Sequence, residues 1–382
     1  MSLHPRDEQQ RIREDIDRFA RSCLNENIAE RDLSQTFSHA LWQQCGSQKF
    51  TGLLVPTKYG GKGLDAYSTV TALEAFGHAC EDGGLVFSIC AHLLGCVVPL
   101  CKHGTETQKK LYLPPLANGN IIAANAMSEP HSGSDPSLMT TTAVLDGDGY
   151  LIRGRKVFCT NAPVADVVLV YAKTHPHRGM IGGITAFLVK TDSPGIRKGP
   201  AVEKMGLRTC TMSDMLFDEV RVGADCVLGS VGAGGQVFLN AMEWERVCIS
   251  AVHIGVIHRL LNGAIKFSKS RKAAGKFIGE FQAVSHKLAD MRVNLEASRL
   301  LTRTAAAKLD SGTNASLDAS MTKLFVSETL VKSALATISI LGGSGFLTEN
   351  NVERVLRDSI ASTIYSGTSD LQRNIISKWL GL

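Results

Sequence analysis

The sequence predicts an α+β protein in three parts: a helical N-terminal domain (residues 1–120), a small antiparallel β domain (121–226) and a C-terminal helical bundle (227–382). Three observations carry the prediction. All eleven prolines lie at or before Pro200, and the proline-free remainder is rich in Ala, Leu, Lys, Arg and Glu, the composition of long helices. Between residues 146 and 217, β-branched and aromatic runs alternate with glycine, aspartate and proline turn signals. The first 120 residues show helical spacing instead. A chain of 382 residues is long enough for each part to bury its own core.

In the N-terminal part, Arg11–Leu24 is amphipathic and Thr69–Ala79 repeats apolar residues at helical spacing. Gly83–Cys101 carries no formally charged side chain and has about the length a bilayer needs. It also holds Ser88, His92, three glycines and Pro99, and it stands alone, so a buried core helix and no membrane span are expected. Strands are expected at Tyr150–Arg153, Val167–Tyr171, Ile184–Val189 and Met215–Phe217, with turns such as Asp146-Gly147-Asp148-Gly149 and Ser193-Pro194-Gly195 between them. Helical spacing resumes from Val237 to Lys308 and from Asp318 to Ile340, broken at Gly312 near Asn314 and again at Gly342-Gly343-Ser344-Gly345. Four long helices with short connections make a bundle.

Composition narrows the function classes. At 44% hydrophobic and 20% charged, without low-complexity tracts, the chain is globular rather than disordered. Its ten cysteines include no C-x-x-C pair and the opening Met1–Glu8 is polar, so a reduced cytoplasmic protein is expected, with cysteine used as a small hydrophobe and no metal site. The formal charge of +5 is uneven: residues 251–310 hold 11 Lys and Arg against 4 Asp and Glu. Such a stretch is either a solvated helix face or a landing site for an anion, whether a phosphorylated ligand or an acidic carrier protein. Nucleic acid is not expected, because the basic residues are not interleaved with aromatics.

The stretch Ile364-Tyr365-Ser366-Gly367-Thr368-Ser369-Asp370-Leu371-Gln372 is the most informative. It resembles the C-terminal active-site signature of the acyl-CoA dehydrogenase family, usually Tyr-Glu-Gly-Thr. Four more motifs follow the family's order and spacing. Asn125–Asp135 resembles Thr-Glu-Pro-x-Ala-Gly-Ser-Asp, and Lys156-Val157-Phe158-Cys159-Thr160-Asn161 resembles Lys-x-Trp-Ile-Thr-Asn. Arg271–Gln282 resembles Arg-x-x-Phe-Gly-x-x-Ile-x-x-x-Gln, and Leu341–Gly345 resembles a Gly-Gly-x-Gly turn. Singly, such loops are turns or helix-end caps; together they span essentially the whole chain.

The resemblance implies non-covalent FAD. Met127, Ser128, Gly133 and Ser134 would bring a hydroxyl and backbone amides to the flavin's pyrimidine edge and N5 side, where the reduced ring carries charge. Phe158 would cover the ring in place of tryptophan, with less area and no N–H, beside Cys159 and Thr160. Arg271 and Gln282 would reach a neighbouring subunit's FAD, Arg271 at the pyrophosphate, with Gly342 and Gly343 at the adenine end. Thr368 and Asp370 would also meet the cofactor. A homotetramer follows from those contacts. Ala274 stands where the family has phenylalanine, so one aromatic contact across that interface is missing.

In the family signature a glutamate removes the proton α to a thioester carbonyl. Here that position is Ser366, too weak a base. A minority of the family carries the base on a helix about 120 residues earlier, in a Leu-Glu-Arg context; this chain has Met242-Glu243-Trp244-Glu245-Arg246 there. Glu245 is therefore the expected base, raised in pKa by apolar neighbours, and Glu243 is its rival on another helix face. Trp244, Arg246, Tyr365 and Ser366 are expected at the substrate. Without the signature, Glu245 would read as a surface glutamate paired with Arg246.

Phe87–Leu93, Thr160–Asp166, Trp244-Glu245 and Ile364–Thr368 resemble one branch in particular, the prolyl-carrier-protein dehydrogenases. That likeness implies oxidation of an L-prolyl thioester on a carrier protein's phosphopantetheine arm, to a pyrroline or a pyrrole, in natural-product biosynthesis. Two other functions compete: a branched- or short-chain acyl-CoA dehydrogenase with the same relocated base, and a non-catalytic, flavin-bound family member. An electron-transfer flavoprotein and O2 both stand as electron acceptors.

Overall fold

The computed structural model describes residues 7–382, so the polar opening read at Met1–Glu8 lies outside the described residues except for its last two. Seven helices come first: α1 (Asp7–Cys23), α2 (Ile28–Ser34), α3 (His39–Ser47), α4 (Ala66–Ala79), α5 (Gly83–His92), α6 (Val98–His103) and α7 (Glu106–Ala117). Their starts are written in the sequence. Ser38, Asp65 and Asp82 each accept the backbone N–H three residues on, and Thr105 and Gln108 form a reciprocal capping box before α7.

The uncharged run is one continuous rod: α5 passes through a π-helical turn, Leu93–Val97, into α6, and 83% of its most apolar window is buried. It does not stand alone in length and apolar character. Two helices of the bundle described below, Gly234–Ser270 and Ser316–Leu341, also match a membrane span on those two measures. They are apolar because they pack on several neighbours at once.

Eight strands form the β domain: β1 (Ala123–Ala126), β2 (Thr142–Asp146), β3 (Gly149–Thr160), β4 (Val167–Lys173), then, after a short turn α8 (Met180–Gly183), β5 (Ile184–Lys190), β6 (Ile196–Lys198), β7 (Met212–Gly223) and β8 (Val227–Leu228). All four expected strands are among them. The sheet runs β6-β7-β3-β2-β4-β5-β8, with β1 also on β4. It is mixed rather than purely antiparallel: β1 lies parallel to β4, Ala123 opposite Val167, and β2 meets β4 parallel at Thr142. The β2–β3 hairpin intervenes between β1 and β4, so the chain returns in the same direction. Alternate residues of β4 face two cores. Val167, Leu169 and Tyr171 pack with the helices, and Val168, Val170 and Ala172 pack inside the β domain.

The last part contains α9 (Gly234–Ser270), a hairpin of β9 (Lys272–Ala273) and β10 (Lys276–Phe277), α10 (Gln282–Asp310), α11 (Ser316–Leu341), α12 (Gly343–Phe346), α13 (Val352–Ser362) and α14 (Ser369–Trp379). Two expectations change here. The helical spacing read through Val237–Lys308 is interrupted by the hairpin, and the expected fourth long helix is divided into α13 and α14 by the turn that carries the signature. α9 is central, packed on α4, α10 and α11. Glycine sets its approach: a Cβ on Gly77 of α4 would meet the Val252 carbonyl oxygen at 2.1 Å.

Candidate active site

Ser366 sits in the turn between α13 and α14 with a left-handed backbone (φ 56°), followed by Gly367 (φ 91°). Thr368 closes the turn by capping α14, its hydroxyl accepting the Leu371 N–H at 3.1 Å. The turn's carbonyls are bound from both sides. Arg246 Nε and Gln372 Nε2 each donate to the Ser366 carbonyl at 3.1 Å, and Gln372 also donates to Gly367 at 3.0 Å. Held this way, Ser366 Oγ donates to Glu245 Oε1 at 2.5 Å. The hydroxyl at the signature position and the carboxylate on α9 thus share one point in space.

Glu245 is half-buried. Burial pushes its pKa above the usual carboxylate value, while the Ser366 hydroxyl and then the Arg246 and Lys323 charges pull it back. Glu243, on another face of α9, is also raised by burial and lies in the field of Lys102. Tyr365 hydrogen-bonds His253 Nε2 at 2.7 Å, and its ring lies 4.6 Å from that of Phe87. Burial drives His253 down to about 3, so it is neutral at physiological pH.

The two flavin-type loops of the β domain lie side by side: the Val157 N–H donates to the Ser128 carbonyl at 2.9 Å. A buried ion pair anchors both. Lys156 Nζ reaches Glu129 Oε1 at 2.9 Å and the Met127 carbonyl at 3.0 Å, while Glu129 also accepts from Thr140 and Thr141. Burial would raise Glu129, but Lys156 and the threonine donors overcome it and hold it down at about 2. A bulge between Lys156 and Cys159 turns Phe158 outward at φ 56°, its side chain 70% exposed. A bulky residue in that conformation costs energy and is found where surrounding structure enforces it. Asn161 then donates to the Ser88 carbonyl on α5 at 2.9 Å. Ser88 follows Phe87, which touches Tyr365, which precedes Ser366. One path of contacts therefore runs from the outward Phe158 loop to Glu245.

The structure places the other expected site residues as follows. Arg246 is buried and its Nε bonds the Ser366 carbonyl, so its guanidinium helps hold the turn. The Cys159 side chain points into the β core, because the bulge that turns Phe158 out turns its neighbour in; burial pushes its thiol up to about 12. Met127 is likewise a core side chain whose carbonyl serves Lys156. Asp370 is exposed and pairs with Arg373. Trp244 is buried under the Lys102 ammonium, 4.7 Å from its ring. Gly133 and Ser134 are exposed and Thr160 half-buried, while Arg271, Gln282, Gly342 and Gly343 all lie on the protein surface of the C-terminal part.

Profiles of the acyl-CoA dehydrogenase N-terminal, middle and C-terminal domains match residues 6–120, 124–220 and 232–381. The chain belongs to the acyl-CoA dehydrogenase family. Within that family it is 39% identical to an L-prolyl-[peptidyl-carrier protein] dehydrogenase of Serratia sp., over 100% of this chain and 99% of the relative. A second protein of that description, from Pseudomonas fluorescens, is 40% identical over 94% of this chain and 93% of its own length. Among solved structures it resembles the prolyl acyl carrier protein oxidase AnaB (TM-score 0.97, 38% identity, 99% of this chain and 100% of the other). It equally resembles PigA with FAD and proline (0.97, 39%, 100% of both).

Three site residues escaped the sequence reading. Gln372 stood inside the quoted signature, but its role as clamp of the turn depends on the fold. His253 lies eight residues after Glu245, roughly 80° round the same helix, and its signal was a histidine within the apolar run of α9. Lys323 is buried on α11 with no hydrogen-bond partner for its ammonium, which burial lowers to about 8. Its signal was a lysine on an apolar helical stripe.

Proposed function

We propose that this family member uses FAD to dehydrogenate an L-prolyl thioester carried on the phosphopantetheine arm of a carrier protein. The contact between Ser366 Oγ and Glu245 Oε1 carries the reading. It puts a carboxylate from α9 where the family's usual base would emerge from the signature turn, and the relatives with the highest identity named above act on prolyl carrier proteins. The residues also fit a flavin. The outward, strained Phe158 offers an exposed aromatic face on a loop bonded to that of Ser128, in which Gly133 and Ser134 are exposed, and the ion pair of Lys156 with Glu129 anchors both loops. When bound, FAD supplies the acceptor for the hydride that leaves the substrate.

Glu245 takes the proton from the carbon next to the thioester carbonyl. Its raised pKa makes it a stronger base than an exposed carboxylate, and Ser366 orients one oxygen and leaves the other free. Arg246 and Gln372 keep that geometry without touching the reacting atoms. Exposed Arg271, Gln282, Gly342 and Gly343 support a homotetramer in which they meet a neighbour's cofactor. Ten free cysteines suit a reducing cytoplasm.

The test is to incubate the purified holoprotein with prolyl-loaded carrier protein and, separately, with a panel of acyl-CoAs. Loss of two or four hydrogens from the carrier by intact mass supports the proposal and counts the electrons. Oxygen consumption in the same tube separates O2 from an electron-transfer flavoprotein as acceptor. Turnover of acyl-CoA alone replaces the carrier with CoA, and a flavin that no thioester reduces leaves a non-catalytic protein.

A further inference from the structure

Among the described residues two lysines are buried, Lys156 and Lys323. Lys156 is matched: its ammonium reaches the Glu129 carboxylate at 2.9 Å and the Met127 carbonyl at 3.0 Å. Lys323, on α11 and 2% exposed, is not; its ammonium has no hydrogen-bond partner among those residues. Ala319, Ser320, Val326 and Ser327, three or four residues away along the same face of α11, are buried and bring no charge to it. Burying an unmatched ammonium is costly, and such groups concentrate where a charge serves chemistry.

The surroundings of Lys323 lead to Glu245. Its face of α11 meets the end of α13, where Ser362 Oγ donates to the Ser327 carbonyl at 3.5 Å, four residues before Ser366. α11 also packs on α9 and α14, the two helices that hold the Ser366 turn. The charges that act on Lys323 are Arg246, Glu328 and Glu245. Glu328 is taken by Arg373 of α14, which leaves the Glu245 carboxylate. The other titratable groups around Glu245 are uncharged at physiological pH. Burial drives up Cys90 of α5, Tyr171 of β4 and Tyr365 of the turn, and drives His253 of α9 down to about 3. Glu243, on another face of α9, lies in the fields of Lys102 and Arg246. Two cations therefore oppose the burial of Glu245: Arg246, whose Nε is committed to the Ser366 carbonyl, and Lys323, which bonds nothing.

We propose that Lys323 is a positioning residue for the base: from behind the Ser366 turn, its free ammonium holds the Glu245 carboxylate in the ionised form that accepts a proton. The proposal rests on the assignment of Glu245 as the base. The lack of a direct bond suits the task. An ammonium bonded to the carboxylate would occupy an oxygen and weaken the base. At a distance, the charge offsets part of the burial, and one oxygen stays with Ser366 while the other remains open to the substrate.

The experiment uses FAD-loaded wild type, Lys323→Met, Lys323→Arg and Glu245→Gln. The carbonyl stretch of protonated Glu245, identified by its absence in Glu245→Gln, is followed against pH by infrared difference spectroscopy of the substrate-free holoprotein. Anaerobic flavin bleaching by prolyl-loaded carrier gives the matching pH–rate profile. Without the charge the carboxylate protonates sooner as pH falls. In Lys323→Met, the band and the rising limb should therefore both move up by about one pH unit, the lower end of what a nearby opposite charge does. At a fixed pH on the limb that is a loss of about tenfold in rate. Lys323→Arg keeps the charge and should leave both curves closer to the parent than to Lys323→Met. A folded, yellow Lys323→Met whose band titrates as in the parent overturns the proposal. So does a Lys323→Arg that moves the band as far as methionine does, because packing rather than charge is then at work. If Lys323→Met loses its flavin, Lys323→Gln carries the same test. The band needs no substrate, so an unmoved band beside intact prolyl turnover sinks the role of Lys323 alone. A moved band in a protein whose parent is not bleached by prolyl carrier sinks the substrate assignment alone.

Discussion

Replacing Glu245 with glutamine isolates the proton-accepting role. Glutamine keeps the size of the side chain, and its Oε1 can still accept the Ser366 hydroxyl that now lies 2.5 Å away. The turn does not depend on the charge at 245, since Arg246 and Gln372 hold it through the Ser366 carbonyl. Folding should not suffer. The folded pKa of Glu245 is raised, so its contribution to stability is fully present below the unfolded value and is lost as pH rises through the folded one. Glutamine removes that loss, and above the folded pKa the variant should be at least as stable as the parent. Catalysis should fall by about 10²–10⁴-fold, equivalent to about 3–5 kcal/mol of barrier. The assay is anaerobic stopped-flow bleaching of the flavin by prolyl-loaded carrier, with the FAD content of each variant matched. Adding Ser366→Glu in the Glu245→Gln background returns a carboxylate from the facing position. Partial recovery, by about tenfold out of that 10²–10⁴ loss, is expected despite the left-handed backbone at 366. Bleaching of Glu245→Gln at close to the parent rate would refute the reasoning, and Glu243 would become the candidate base.

Ser366→Ala removes a donor that favours ionised Glu245, so the rising limb of the pH–rate profile should move to higher pH, with little loss on the plateau; the profile of anaerobic flavin reduction reads this directly. Glu129→Gln leaves Lys156 buried without its counter-charge and should cost about 3–5 kcal/mol in urea unfolding, with loss of FAD as both loops loosen. Because Glu129 is held down at about 2, the parent's stability from this pair is present above the ordinary carboxylate value and lost as pH falls toward 2; the variant should lack that slope. Arg271→Ala should weaken FAD retention while each subunit stays folded, read by light scattering and flavin content after gel filtration.

Some of this protein is set locally and can be read one segment at a time. Helix caps such as Asp65, Asp82 and Thr105 bond within three residues, so the chain announces where those helices begin. The loops at Ser128 and Phe158 and the Ser366 signature are short motifs whose order alone points to the family, and the missing signature glutamate singles out Glu245. Other features join residues far apart, and local spacing carries no record of them. The parallel pairing of β1 with β4 spans the β2–β3 hairpin, and the outward turn of Phe158 depends on a bulge against β7 that also reverses Cys159. For Arg246 the sequence left a structural and a substrate-facing role both open, because helical spacing gives a face but not a partner; only packing brings it to a carbonyl 120 residues away. The same packing of α5, α9 and the α13–α14 turn sets Phe87 against Tyr365. Chemistry at this site was legible in residue types, whereas the shape around it arises from contacts between elements that no single stretch of chain contains.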